Sequence, residues 1–230
     1  MSILKKLFGK SSVASKAQEN SYPSRMNSSD FKKIVTIKLA PYLRANGWKG
    51  SGFNFVKVGK PITKVLTIQP SSAGGKFCIE IGIYFDFIKL NKNKEPKKLK
   101  TWDLEFRTRL TPESESDYWW NFPKSELEES KVFKNIIRLF ETRGQDYFNS
   151  YNDWRENFFN ISPSDIEEKK VWKHIPMTKI RTALFLARMH DHFGNPEKVK
   201  PLAEYGLTQV DGKKGSGLIN EFNELIEKSL

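Results

Sequence analysis

The chain holds a single cysteine, Cys78, in 230 residues. One cysteine excludes an internal disulfide and any zinc or iron–sulfur cage built on thiolates. In a strand it reads as a small buried hydrophobe rather than a nucleophile. Histidine is nearly as scarce, with three copies. No run of about 18 apolar residues occurs, so no transmembrane helix is expected. The opening Met1-Ser2-Ile3-Leu4-Lys5-Lys6-Leu7-Phe8-Gly9 has only isolated apolar pairs and no secretory apolar region. Ser2 in place of glycine excludes N-myristoylation. The expected compartment is the cytoplasm. What is abundant is apolar and aromatic: 38% hydrophobic and 13% aromatic residues, including 17 Phe and 6 Trp. That content excludes a disordered chain. The length suits one large domain or two small ones, with enough chain for a core without metal or disulfide staples.

Charge is plentiful and uneven. The formal net charge is +12, from 39 Lys and Arg against 27 Asp and Glu. Residues 1–110 hold 22 basic and 7 acidic side chains, and residues 111–230 hold 17 and 20. The net is +15 in the first part and −3 in the second, which suggests two parts with different surfaces. The basic part suits nucleic acid, an acidic protein or anionic lipid as partner, with a merely solvated surface as the alternative.

Residues 1–28 read as a flexible basic segment. Ile3, Leu4, Leu7 and Phe8 fall at helical spacing there, as a short amphipathic anchor or a frayed terminus would have them. Asp30 to Asn46 reads as a helix capped by Ser28 or Ser29, kinked at Pro41 and ended by Gly47. Four strands are expected, over 48–58, 62–69, 77–87 and 103–110. The third is the clearest: Phe77, Ile79, Ile81, Ile83, Phe85 and Phe87 face one way, and Cys78, Glu80, Gly82, Tyr84 and Asp86 the other. The fourth sets Leu104, Phe106 and Leu110 against Asp103, Glu105, Arg107 and Arg109. Short turns suit an antiparallel meander, with the first helix covering its apolar face. Helical periods follow over 126–151, 177–193 and 197–209, and after a Ser216 cap. The middle two resemble a tetratricopeptide-type hairpin and read as plain helix packing. The expected fold is α+β: an N-terminal helix on a roughly four-stranded antiparallel sheet, then a helical C-terminal part. The expected divisions are 1–28, an α+β domain over 29–150, and helices packed on it over 151–230.

A set of residues within this frame resembles a known family. Leu43-Arg44-Ala45-Asn46-Gly47-Trp48 leads into Gly52-Phe53-Asn54-Phe55. Thr67-Ile68-Gln69 and Phe77-Cys78-Ile79-Glu80-Ile81-Gly82 follow. Arg107-Thr108-Arg109-Leu110 and Asp117-Tyr118-Trp119-Trp120 close the set. The order is similar to a bacterial domain-of-unknown-function family over roughly residues 30–150. The resemblance implies an α+β domain with no established activity, in a family some of whose members look like companions of toxin-immunity or defence systems. Lys5-Lys6-Leu7-Phe8-Gly9-Lys10 is similar to the starts of small immunity-type proteins.

Catalytic chemistry finds little support. Gly74-Gly75-Lys76-Phe77 lacks the Ser or Thr that holds magnesium and leads into a strand rather than a helix. Gly212-Lys213-Lys214-Gly215-Ser216-Gly217 opens a helix but reads as a loop and a cap. His190 and His192 are two apart and do not share a helix face, and His174 is the third histidine. Gly215-Ser216-Gly217 is not a nucleophile elbow. No cofactor or metal is expected, and an enzyme is the less favoured class.

Binding surfaces are better supported. The polar sheet face gathers Gln69, Glu80, Tyr84, Arg107 and Arg109. The two arginines can clamp a carboxylate or phosphate, and Glu80 and Glu105 can instead pair with them across strands. Trp119 and Trp120 mark the join to the helices, as a wedge or as a partner hot spot. Lys89, Lys92, Lys94, Lys97, Lys98 and Lys100 form a basic loop flanked by Phe87 and Trp102, able to meet phosphates or to remain solvated. The expected function is a protein-binding module with an acidic partner, of toxin-neutralising or defence-associated type. Nucleic-acid association through the basic half is the alternative. Nothing in the sequence sets an oligomeric state.

Overall fold

A computed structural model describes residues 26–88, 94–112, 115–171 and 175–230. The N-terminal amphipathic segment, Lys89 and Lys92 therefore lie outside the described residues. The first helix begins at Ser28, and its cap is Asn27 rather than Ser28 or Ser29. The Asn27 side chain accepts from the Asp30 N–H at 3.0 Å. Pro41 does more than kink this helix. It sits in the first turn of a separate one, so the chain forms α1 (Ser28–Lys38) and α2 (Ala40–Ala45). Gly47, at φ +81°, takes the left-handed conformation that ends α2.

Among the described residues the sheet has six strands, five of them in a meander. β1 (Lys49–Ser51), β2 (Asn54–Lys57), β3 (Ile62–Pro70), β4 (Lys76–Phe85) and β5 (Phe106–Arg109) pair in sequence order, all antiparallel. β6 (Trp120–Asn121) pairs with the first two residues of β4, on a path apart from that order. The segment 48–58 is thus a tight hairpin rather than one strand. The expected strand over 103–110 begins only at Phe106, because Thr101–Asp103 form a 3-10 turn. That turn resets the alternation. Leu104 leaves the face of Phe106 and Leu110 and joins Val56, Val65, Tyr84 and Leu99 in a small cluster of its own. The polar sheet face is therefore partly roofed. Gly82 makes the roof fit: a Cβ there would lie 2.6 Å from Leu104 Cδ1 and 2.7 Å from the Phe106 carbonyl oxygen.

The helical part follows in short pieces. α3 (Glu126–Leu139) is capped by Ser125, runs into a π turn over Phe140–Gly144, and resumes as α4 (Gln145–Asn149). The expected single helix over 126–151 is divided at this turn. α5 (Trp154–Phe158) and α6 (Pro163–Glu167) come next. α7 (Lys179–His192) and α8 (Pro196–Thr208) form a hairpin about Gly194, and α9 (Ile219–Lys228) lies against both. Ser216 opens a 3-10 turn just before α9 rather than capping it.

One buried cluster runs from Phe31 on α1 to Leu225 on α9. The apolar face of β4 is its floor. Phe31 lies 4.4 Å from both Phe77 and Phe122, so α1 covers one end of that face. Phe85 meets Phe106, Phe158 and Phe185 at the other end, beneath α5 and α7. Aromatic pairs offset or edge-on at these separations add to the area they bury. Among the described residues no helix is long and apolar enough to cross a membrane.

Candidate functional site

The register of β5 decides what it offers. Glu80 stands opposite Arg109 and Gly82 opposite Arg107, and the Leu110 N–H donates to the Ile79 carbonyl at 2.9 Å. In an antiparallel pair, bonded and non-bonded positions alternate. Phe106, Thr108 and Leu110 therefore bond to β4, while the N–H and C=O groups of Arg107 and Arg109 point to the open edge. No described residue hydrogen-bonds those four groups. This edge floors a cleft of about 470 Å³, walled by Thr111, Arg143 of the π turn, Tyr147 of α4 and Pro176.

Three guanidiniums rim the cleft. Arg109 is ion-paired with Asp117, lies 4.9 Å over the Trp119 ring, and approaches Glu80 at 3.9 Å. Arg107 is 3.8 Å from Glu80 and its side chain is 45% exposed, so it remains available to a ligand. Arg143 donates to the Thr111 carbonyl at 2.6 Å, which ties the π turn to the end of β5. Glu80 also accepts from the Thr101 hydroxyl at 2.7 Å, and the Thr101 N–H donates to the Thr67 hydroxyl. Glu80 thus fixes the arginines and the roof rather than facing a ligand. On the apolar side of the edge stand Ile81, Leu110 and Tyr147. Burial pushes the Tyr147 hydroxyl up, with the Tyr151 hydroxyl 3.3 Å away, so it stays protonated at neutral pH.

A second cleft, of about 560 Å³, shares Arg107 and Pro176 with the first. Glu105 lies in it, 3.6 Å from Arg181 and 3.7 Å from Arg188, and Arg188 clasps Glu221 with two bonds of 2.7 Å. Glu105 therefore pairs with α7 and not with Arg107 or Arg109. Burial pushes its carboxyl up against the pull of the two arginines, and its buried Oε2 has no hydrogen-bond partner among the described residues.

Of the residues expected at the polar face, the structure brings together Glu80, Arg107, Arg109 and Trp119. Gln69 is exposed on β3, with Cys78 Sγ 3.9 Å from it, and does not line either cleft. Tyr84 is buried, its hydroxyl donating to the Ile88 carbonyl at 2.7 Å. Trp120 is buried on β6 over Phe77, so the tryptophan pair divides into a wedge and a rim residue. Among the loop lysines, Lys94 pairs with Asp103, Lys97 and Lys98 share Glu95, and Lys100 lies 4.8 Å over Trp102. Trp102 is half exposed, whereas Phe87 is buried against Trp154 and Phe185. His190 is a core residue, held below its ordinary value at about 4 chiefly by burial. His174 lies outside the described residues. Among the described residues no group of three or more His, Cys, Asp or Glu is placed to hold a metal ion.

Arg143 and Tyr147 are not marked by any sequence motif, whereas Gly82 closes the Phe77–Gly82 motif without any sign in the letters of the close approach it allows. Arg143 and Tyr147 sit in a helical stretch with no local sign of a turn toward the sheet, and only the π turn brings them to β5.

Residues 39–150 match the model of a family described as a domain of unknown function, DUF4304. No curated protein and no solved structure matches the chain. The family match begins where Pro41 separates α2 from α1, ends just past α4, and takes in the whole sheet. The stretch that carries Arg107, Arg109 and Arg143, and with it most of the cleft, thus matches the DUF4304 family.

Proposed function

We propose that the chain is a protein-binding module that docks an acidic partner in the cleft along β5. The observation that supports this best is the convergence of Arg107, Arg109 and Arg143 on one open strand edge beside the Trp119 ring. Guanidiniums in fixed positions favour planar carboxylates, and an aromatic rim residue supplies a hot spot at small entropic cost. A toxin-neutralising or defence-associated factor of a bacterial cytoplasm works by such complementarity, and we place the module in that setting. Partners of acidic character fit the net charge of +12.

The test is direct. Labelled poly-glutamate should bind the purified chain, and Arg107→Ala with Arg143→Ala should weaken it about tenfold, since each exposed charge contact contributes up to about 1 kcal/mol. Lys97→Ala with Lys98→Ala should leave it unchanged. The reverse pattern would contradict this reading.

A second reading draws on Trp102. It is half exposed beside Lys97, Lys98 and Lys100, as a stacking platform for single-stranded nucleic acid would be. Binding to labelled oligonucleotides with a steep salt dependence that shrinks as those lysines are removed would favour it.

A further inference from the structure

We infer that the acidic partner binds by adding an extended segment to the sheet, as a further strand against β5. This rests on the reading of the cleft as a protein-docking site and names the form of the partner. Three observations carry it. The N–H and C=O groups of Arg107 and Arg109 point outward, unbonded among the described residues, and an added strand satisfies all four. The opposite edge of the sheet is closed to the same use: β1 is three residues long, and its Gly50 carbonyl already accepts from Arg44 at 3.0 Å. The cleft also reaches both faces at the edge, with Arg107 and Arg109 on one and Ile81, Leu110 and Tyr147 on the other. A strand alternates its side chains, so a segment that alternates acidic with apolar residues meets both faces at once.

A second copy of this chain is the wrong occupant. Pairing β5 with β5 would set arginines against arginines, and like charges across strands repel. Asp117 already occupies Arg109 from within the chain, so an incoming carboxylate competes with it.

The experiment uses a fluorescein-labelled eight-residue peptide of alternating Glu and Val, titrated with the full chain and read by anisotropy. Micromolar binding is expected, weakened about tenfold by Arg107→Ala and tightened several-fold by Asp117→Asn. The same peptide N-methylated on its central amides keeps every charge but cannot form a ladder, and it should bind at least about tenfold more weakly. Circular dichroism of each variant confirms that it is folded. If the methylated and parent peptides bind alike while Arg107→Ala still weakens both, strand addition is wrong and the acidic docking site stands. If the parent peptide does not bind, or binds with no response to Arg107→Ala, both are wrong.

Discussion

Gly206 shows how far a single atom matters in this core. Glycine inside a helix is usually a weak point, and alanine there gains about 1 kcal/mol. In α8 the opposite is expected, because a Cβ on Gly206 would lie 2.3 Å from two atoms of the fully buried Phe222 ring. Gly206→Ala should therefore cost about 1–3 kcal/mol through overpacking, seen as a lower urea midpoint. His190 carries a different residue-scale consequence. Its ring is buried, with Nδ1 3.3 Å from the Asn195 amide and Nε2 without a hydrogen-bond partner among the described residues. The unfolded chain protonates this histidine near its ordinary 6.5, whereas the folded chain resists until about 4. Between those values the unfolded state binds more protons, so stability falls as pH drops through the window. From pH 7 to pH 5 the loss from this group is about 2 kcal/mol. Urea melts at the two pH values should show it in the parent and not in His190→Gln. Glu105 acts in the other sense. Its folded carboxyl is raised, so the folded state takes up its proton first and acidification relieves the buried charge.

At the scale of elements, Arg188 straps the sheet to the helices. It lies 3.7 Å from Glu105, one residue before β5, and clasps Glu221 on α9. Arg188→Leu removes a largely buried guanidinium from between two carboxylates and should cost about 2–4 kcal/mol. Arg181→Leu removes an exposed one and should stay within about 1 kcal/mol, both read from guanidinium-chloride midpoints. These elements also show what the sequence makes legible. The period-two run of β4 is visible in any window, because it is buried on its apolar face along its whole length. The end at Gly47 follows from backbone chemistry alone, and Pro41 is legible as a kink but not as the start of a second helix. The strand before Leu110 is overextended in the sequence reading because Leu104 and Phe106 alternate correctly by position. Nothing in the letters shows that a 3-10 turn puts them on opposite faces. The arginines of β5 are legible as a pair. Arg143 is not, since it reaches Thr111 across 32 residues through a π turn that helical periodicity does not announce.

For the molecule as a whole, the excess positive charge and the open strand edge point to the same side of the problem. The basic first half supplies β5 with Arg107 and Arg109, and the nearly neutral second half supplies Arg143 and the walls that turn an edge into a cleft. The main core from Phe31 to Leu225 joins the elements that supply those contributions. The charged loop is partly engaged by Glu95 and Trp102, and its end abuts the arginine cluster: Trp102 lines the second cleft with Arg107, and Thr101 donates to Glu80. Lys97 and Lys98 line neither cleft and so separate the two surfaces best. The decisive measurement is a ¹⁵N-labelled titration of the full chain with the alternating Glu–Val peptide, following each backbone amide. Shifts centred on Arg107, Arg109, Arg143 and Tyr147, with Lys97 and Lys98 unmoved, are the expected result. Shifts confined to Lys97–Trp102, or none along β5, would contradict an acidic docking cleft.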